Sequence, residues 1–206
     1  MNLLYVLQMI GTAAFALSGA LAASRKNMDI FGFCVLALMP AVGGGTLRDL
    51  ILDRTPVFWV ADNSYIIVAL ATAIIAYFGV YRPGTRMRIL VWADAMGLAL
   101  FAALATEVSL DYEAGPLVAI MLGVASSVTG GMIRDVIVNE IPLVLSKEIY
   151  ATAAFVTSAT FVAADRMGAS ENVSLYVAVA AGFTLRALAI RYNWSLPAPK
   201  VRPEQT

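Results

Sequence analysis

The sequence predicts an all-α membrane protein of seven transmembrane helices, an inverted 3+3 repeat plus a seventh helix, N-outside and C-inside. Three observations predict it. Hydrophobic residues are 60% of the 206 and charged residues 14%, where soluble domains carry about 45–50% and about 25%. The mean hydropathy of +0.79 agrees, and one soluble core cannot cover that much apolar surface. Seven segments approach the length of about 20 apolar residues that a spanning helix needs, and the second and fifth of them repeat each other.

Composition also excludes functions. Lys plus Arg and Asp plus Glu both number 14, so no net charge points to nucleic acid. The chain has no histidine, which removes Ser-His-Asp and Cys-His catalysis and His-ligated zinc or haem. The one cysteine, Cys34, allows no intramolecular disulfide and no CxxC metal site. No enzyme, resident metal or organic cofactor is expected.

The spans follow in order. The first, 3–23, ends at Ser24-Arg25-Lys26-Asn27. A signal peptide is the competing reading, because small residues follow in Ala20 to Ser24, but Met1 to Gln8 lacks the basic residues of an n-region. The second, 30–52, carries Pro40, Gly43, Gly44, Gly45, Arg48 and Asp49. The third, 64–81, closes at Arg82-Pro83-Gly84-Thr85-Arg86. The fourth, 89–107, holds Asp94. The fifth, 116–138, holds Ser126, Ser127, Thr129, Gly130, Gly131, Arg134 and Asp135. The sixth, 148–164, is short, and the seventh, 173–190, contains Arg186. Residues 1–194 form the membrane domain, with repeats over about 3–81 and 89–164. From Ser195 the chain is Pro-rich and polar, which predicts a disordered cytoplasmic tail over 195–206.

Basic residues orient the spans. With the N-terminus outside, inner segments hold Arg25, Lys26, Arg82, Arg86, Arg88, Lys147, Arg191, Lys200 and Arg202, and outer loops hold only Arg54 and Arg166. Trp59, Trp92, Trp194, Tyr81 and Tyr192 fall near span ends, as an interfacial aromatic belt requires.

At an offset of 86, Val42 to Pro56 (VGGGTLRDLILDRTP) and Val128 to Pro142 (VTGGMIRDVIVNEIP) share seven of fifteen residues without a gap. The offset also pairs Gly11 with Gly97, Ala13 with Ala99, Phe15 with Phe101 and Ala16 with Ala102. The unit is therefore three helices. Three is odd, so the second copy enters the membrane upside down, as in transport proteins with two related ends.

The repeated motif is Gly-Gly-x-x-Arg-Asp. Pro and Gly in an apolar helix favour a break, tolerated at membrane depth where it is buried in protein or lines a wet cavity. Close packing of helices through glycine is the alternative. Gly44 and Gly130 each lie about 21 Å along helices entering from opposite faces, so the two motifs sit toward opposite ends of one path. Intramembrane charges must be paired or wet. Neighbours on a helix point about 100° apart, so Arg48 and Asp49 are expected to find partners on other helices. Asp94, opposite Gln8 in the repeat, lies at the depth of Arg134, Asp135 and Arg186. Either it attracts a cation there, or it forms a structural ion pair with Arg134 or Arg186.

At GGGTLRD, GGMIRD and ADAMGLALF, the chain resembles the bacterial branch of the TRIC family of trimeric intracellular cation channels, over about residues 3 to 192. Prokaryotic members are also labelled glycine-transporter-like. The resemblance implies a homotrimer in the bacterial inner membrane, in contact with lipid, with one pore per protomer. It implies that the second and fifth helices, kinked at Gly43, Gly44, Gly45, Gly130 and Gly131, line that pore. Potassium or sodium ions would permeate, and a bound lipid is the other expected ligand. The leading expectation is a monovalent cation channel. The alternative is a secondary transporter of a small zwitterion such as glycine, whose carboxylate and amine an Arg-Asp pair suits.

Overall fold

The computed structural model describes residues 3–79, 83–145 and 149–195. Their regular elements are helical: α1 (Leu3–Arg25), α2 (Ile30–Ile51), α3 (Phe58–Ala61), α4 (Ser64–Phe78), α5 (Pro83–Asp111), α6 (Pro116–Ile137), a 3-10 turn at Leu143–Leu145, α7 (Ala151–Arg166) and α8 (Glu171–Tyr192). Five of these, α1, α2, α5, α6 and α8, are long and apolar enough to cross a membrane. The helices α4 and α7 are shorter, at 15 and 16 residues.

The fourth expected span is longer than its apolar run, at 29 residues. Its helix begins at Pro83, because proline is tolerated in a first turn, where its missing N–H would have no partner. Arg86 and Arg88 therefore sit on a helix and not in the polar joint. The end of the third expected span, with Tyr81, and the tail over 196–206 lie outside the described residues.

The repeat extends to the helix ends. Asn27 and Glu113 take left-handed backbone, as do Asp53 and Asn139. Each pair is separated by 86 positions. At each, the chain turns back so that the next N–H reaches a carbonyl five residues earlier: Met28 to Ala23 (3.1 Å), Ala114 to Ser109 (3.0 Å), Arg54 to Asp49 and Glu140 to Asp135 (both 2.8 Å). This closure satisfies carbonyls that the helix end leaves open. Asn and Asp tolerate the left-handed region better than most residues, which suits three of the four positions.

The two units are clasped through small residues. The helix α1 packs on α5, and α2 on α6; α4 covers α1 and α2, while α7 covers α5 and α6; α8 lies on α7 and α5. A Cβ at Gly11 would stand 3.1 Å from the Phe101 ring, and one at Gly97 would stand 2.6 Å from Phe15. Those two rings stack on each other, centroids 5.2 Å apart. Phe15 and Phe101 are repeat mates, so their mutual stacking lies on the pseudo-two-fold axis. The α2–α6 crossing has the same reciprocity. A Cβ at Gly44 would collide with the Ser126 carbonyl, and one at Gly130 with the Pro40 carbonyl.

This corrects the expectation of broken helices. Both α2 and α6 run unbroken through their glycines. The glycines of the crossing let two backbones approach in lipid, where close packing holds helices together. Pro40 lies inside α2 without ending it. Proline cannot donate to the carbonyl four residues back. That carbonyl, on Leu36, is pressed against Gly19 of α1.

Candidate functional site

Two polar clusters lie one at each side of the α2–α6 crossing, built from repeat-related residues. In the first, Arg48 donates to Asp49 Oδ1 through Nε (2.8 Å) and Nη2 (2.5 Å). Asp49 Oδ2 accepts from the Phe58 N–H at 2.8 Å. Arg54 Nη1 lies 3.6 Å from Asp49 Oδ1. Tyr65 donates its hydroxyl to Gln8 Oε1 at 2.5 Å. A cavity of about 70 Å³ opens among Gln8, Arg48, Arg54, Phe58 and Tyr65.

In the second, Arg134 donates Nε to Asp135 Oδ1 (2.8 Å) and Nη1 to both Asp94 Oδ1 (2.5 Å) and Ser18 Oγ (2.8 Å). Asp135 Oδ2 accepts from the Leu143 N–H at 3.1 Å. A smaller cavity of about 30 Å³ lies among Arg25, Arg134, Asp135, Glu140 and Leu143. Either cavity has room for at least one water, which needs about 10–15 Å³ of such volume.

The expectation that Arg48 and Asp49 find their partners on other helices is corrected: they pair with each other. A guanidinium carried on a long stem reaches the next carboxylate despite the 100° step. The pairing is needed because Asp49 is wholly buried and Arg48 only 5% exposed, and a buried charge without a partner is costly. The second aspartate oxygen then ties the loop that follows the helix, through Phe58 or Leu143. Arg134 does reach another helix, at Asp94 on α5, which settles Asp94 as an ion-pair partner. Arg186 approaches the same cluster through Tyr150. Its guanidinium lies over the Tyr150 ring at 5.1 Å, and Nη1 donates to the Ile149 carbonyl at 3.3 Å.

Not every buried polar atom is satisfied. Asp94 Oδ2, Arg134 Nη2, the Tyr150 hydroxyl and Ser126 Oγ lack a well-formed hydrogen bond among the described residues. The Tyr150 hydroxyl and Arg134 Nη2 lie beside Gly131, where an added Cβ would stand 2.8 Å and 3.7 Å from them and 3.4 Å from the already bonded Asp94 Oδ1. Ser126 is on the glycine crossing itself. Orphaned polar atoms of this kind ask for a water or an ion. Ser127 and Thr129 instead donate to carbonyls of their own helix, Val124 (3.0 Å) and Ala125 (2.7 Å). A Cβ at Gly45 would press on the Phe58 ring, and one at Gly43 on Ile133.

Each cavity also carries an ionic contact at its edge. Arg25 makes a two-pronged pair with Glu140 (3.0 and 3.2 Å), joined by Lys26 at 3.2 Å. The repeat mates of Arg25 and Glu140 are Asp111 and Arg54, with the charges exchanged. Asp111 lies within electrostatic reach of Arg54, and Arg54 stands over the Tyr112 ring at 5.9 Å.

Ser18, Tyr65, Tyr150 and the Arg25–Glu140 pair were not singled out from the sequence. Tyr65 and Tyr150 were findable: they are 85 apart, one short of the repeat offset, as are Phe58 and Leu143. A single-residue deletion after Pro142 brings both pairs into register.

The comparisons follow this geometry. The family model described as glycine transporter matches residues 5–81 and 91–166, which are the two three-helix units. A UPF0126 membrane protein of Vibrio cholerae is 43% identical over 200 residues, covering 95% of this chain and 82% of its own length. The UPF0126 inner membrane protein YadS of Escherichia coli K12 is 41% identical over 203 residues, covering 95% of each. Among solved structures, the TRIC trimeric intracellular cation channel orthologue from Rhodobacter sphaeroides superposes with a TM-score of 0.90 at 43% identity, over 94% of this chain and 100% of that one. With five membrane-length apolar helices and these relatives, this is a multi-pass protein of the bacterial inner membrane. The chain belongs to the bacterial branch of the TRIC family, whose two three-helix units the glycine-transporter model matches separately.

Proposed function

We propose that the chain is a potassium-permeable monovalent cation channel, with one pathway through each protomer of a homotrimer. Residues 1–194 form the membrane domain, with seven spans, the N-terminus outside and residues 195–206 in the cytoplasm. The observation that carries the reading is the pair of polar cavities at opposite ends of one glycine crossing, formed by repeat-related residues. The likeness to TRIC structures supports it. The pathway runs from the Gln8–Arg48 cavity, past the α2–α6 crossing, to the Arg134 cavity. Only potassium or sodium ions and surrounding lipid are needed as ligands.

On this reading the structure is a closed state. The Pro40 and Ser126 carbonyls meet the opposing glycines and leave the crossing without a lumen. Opening moves α2 against α6 there, and the freed carbonyls with Ser126 Oγ then replace part of an ion's hydration. Arg48 and Arg134 do not repel the ion, because each is paired with carboxylate. Around Arg134 the formal charges of Asp94 and Asp135 leave the cluster at −1. The Arg25–Lys26–Glu140 contact acts as a latch over the inner mouth, and Arg54 with Asp111 is its counterpart outside.

The second reading is a glycine carrier, which the description of the family model favours. Against it, both oxygens of Asp49 and of Asp135 are already bonded within the protein, which leaves little for a zwitterion to displace. Planar-bilayer recording of the purified protein in asymmetric potassium chloride tests the proposal. Discrete openings with a reversal potential near the potassium limit are expected. Silent bilayers, with saturable glycine uptake into liposomes of the same preparation, would overturn it in favour of the carrier.

A further inference from the structure

The two cavities beside the α2–α6 crossing are repeat-related but not equally charged. In the Arg134 cluster, Nη1 has two acceptors, Asp94 Oδ1 and Ser18 Oγ. Their mates at the 86-residue offset are Gln8 and Leu104, a neutral amide and an alkyl chain. Arg48, the mate of Arg134, places Nε and Nη2 on Asp49, and its Nη1 makes no hydrogen bond among the described residues. The exchange of acceptors leaves a void, because Gln8, Leu104 and Arg48 all line the cavity of about 70 Å³. Arg54 also lines it, whereas its mate Glu140 lines the Arg134 cavity. Two guanidiniums therefore share one carboxylate, that of Asp49, and no Asp or Glu lines the void. Asp111 acts on Arg54 from an exposed position and does not line the cavity either.

We propose that the Arg48 cavity seats one halide ion, chloride in an ordinary medium, in the place that the Asp94 carboxylate takes beside Arg134. Arg48 is only 5% exposed, and a buried donor left without an acceptor costs free energy. The anion supplies that acceptor and balances the second guanidinium, as a buried charge requires. Size sets the class of ligand. The void is several times the roughly 10–15 Å³ that one water needs, so a halide, little larger than water, fits. The wall of Phe101, Leu104 and Val108 offers no donors to orient a planar or branched anion, and a spherical ion needs none. The site does not depend on whether the protein conducts.

Thermal unfolding of the full chain in detergent tests it, in potassium chloride, bromide and gluconate of equal ionic strength. At about ten times its dissociation constant, chloride should raise the midpoint by about 3–6 °C over gluconate, which is too large for the cavity. Bromide should act like chloride. Gln8→Glu puts a carboxylate beside Arg48 and should remove the chloride dependence, whereas Arg166→Gln, at an exposed position, should keep it. Equal midpoints in chloride and gluconate, or full chloride dependence in Gln8→Glu, would overturn the proposal. If Gln8→Glu does not fold, crystals of the unaltered chain soaked in bromide decide: an anomalous peak against Arg48 is expected, and a cavity without one would overturn the site. Equal protection by sulfate would reduce the effect to exclusion of salt from the protein surface, and equal protection by glycine would make the cavity a seat for a zwitterion; either overturns the halide. Because every readout is binding, failure here is separable from failure of the channel reading.

Discussion

Glu140→Gln removes the carboxylate that holds Arg25 and Lys26 beside the Arg134 cavity while keeping the side chain's size. The three side chains are about one-third exposed, at 30%, 38% and 31% for Arg25, Lys26 and Glu140. Solvent therefore screens the pairs, and each contributes about 0.2–1 kcal/mol, the two-pronged Arg25 pair toward the upper end. Together they favour the latched state by about 1–2 kcal/mol, a factor of about 5–30 in the closed-to-open ratio. Single-channel recording should show open probability rising by that factor, with unitary conductance unchanged because the latch is not the constriction. The reciprocal exchange Arg25→Glu with Glu140→Arg should restore most of the closed population. An open probability within twofold of wild type in Glu140→Gln, with the protein folded and conducting, would refute the latch.

Further outcomes follow from the same geometry. Gly44→Ala and Gly130→Ala each push a methyl into a facing carbonyl and should lower unfolding stability by about 1–3 kcal/mol; an unchanged denaturation midpoint in both would refute the crossing. Arg134→Met leaves Asp94 and Asp135 without their guanidinium and should cost about 3–5 kcal/mol, measured by denaturant unfolding in detergent; a loss below about 1 kcal/mol would show that these carboxylates do not depend on it. Ser126→Ala removes an orphaned hydroxyl and should leave stability within about 0.5 kcal/mol while lowering unitary potassium conductance. Unchanged conductance would take that hydroxyl off the path.

Much of the fold is legible in the sequence because it is written locally. Apolar length marks α1, α2, α5, α6 and α8. The 86-residue offset pairs Phe15 with Phe101, and the structure stacks those two rings on each other and matches the helix ends at the same offset. The motif Gly-Gly-x-x-Arg-Asp falls at the two buried polar clusters, where Arg48, Asp49, Arg134 and Asp135 are all buried. Its mechanics were less legible. Glycine in an apolar helix is equally compatible with a break and with a close crossing. The arbiter is the backbone opposite, here the carbonyls of Pro40 and Ser126. The arginine partners were misjudged for Arg48 because the step angle of a helix constrains Cβ directions and not the tip of a long flexible side chain.

The sequence by itself determined the solvent this protein needs, its duplicated three-helix plan, the absence of histidine and thiol-pair chemistry, and the positions of its costly charges. These follow from composition and from periodicity along one dimension. Only the tertiary structure decided which residues meet. Arg134 bonds Ser18 and Asp94, 116 and 40 positions away. Arg25 finds Glu140 across 115. Met87 and Trp92 share a groove with Ile190 and Trp194. Hydrogen bonds and ion pairs act over about 3 Å, and no spacing rule along the chain carries that distance through three packed helices.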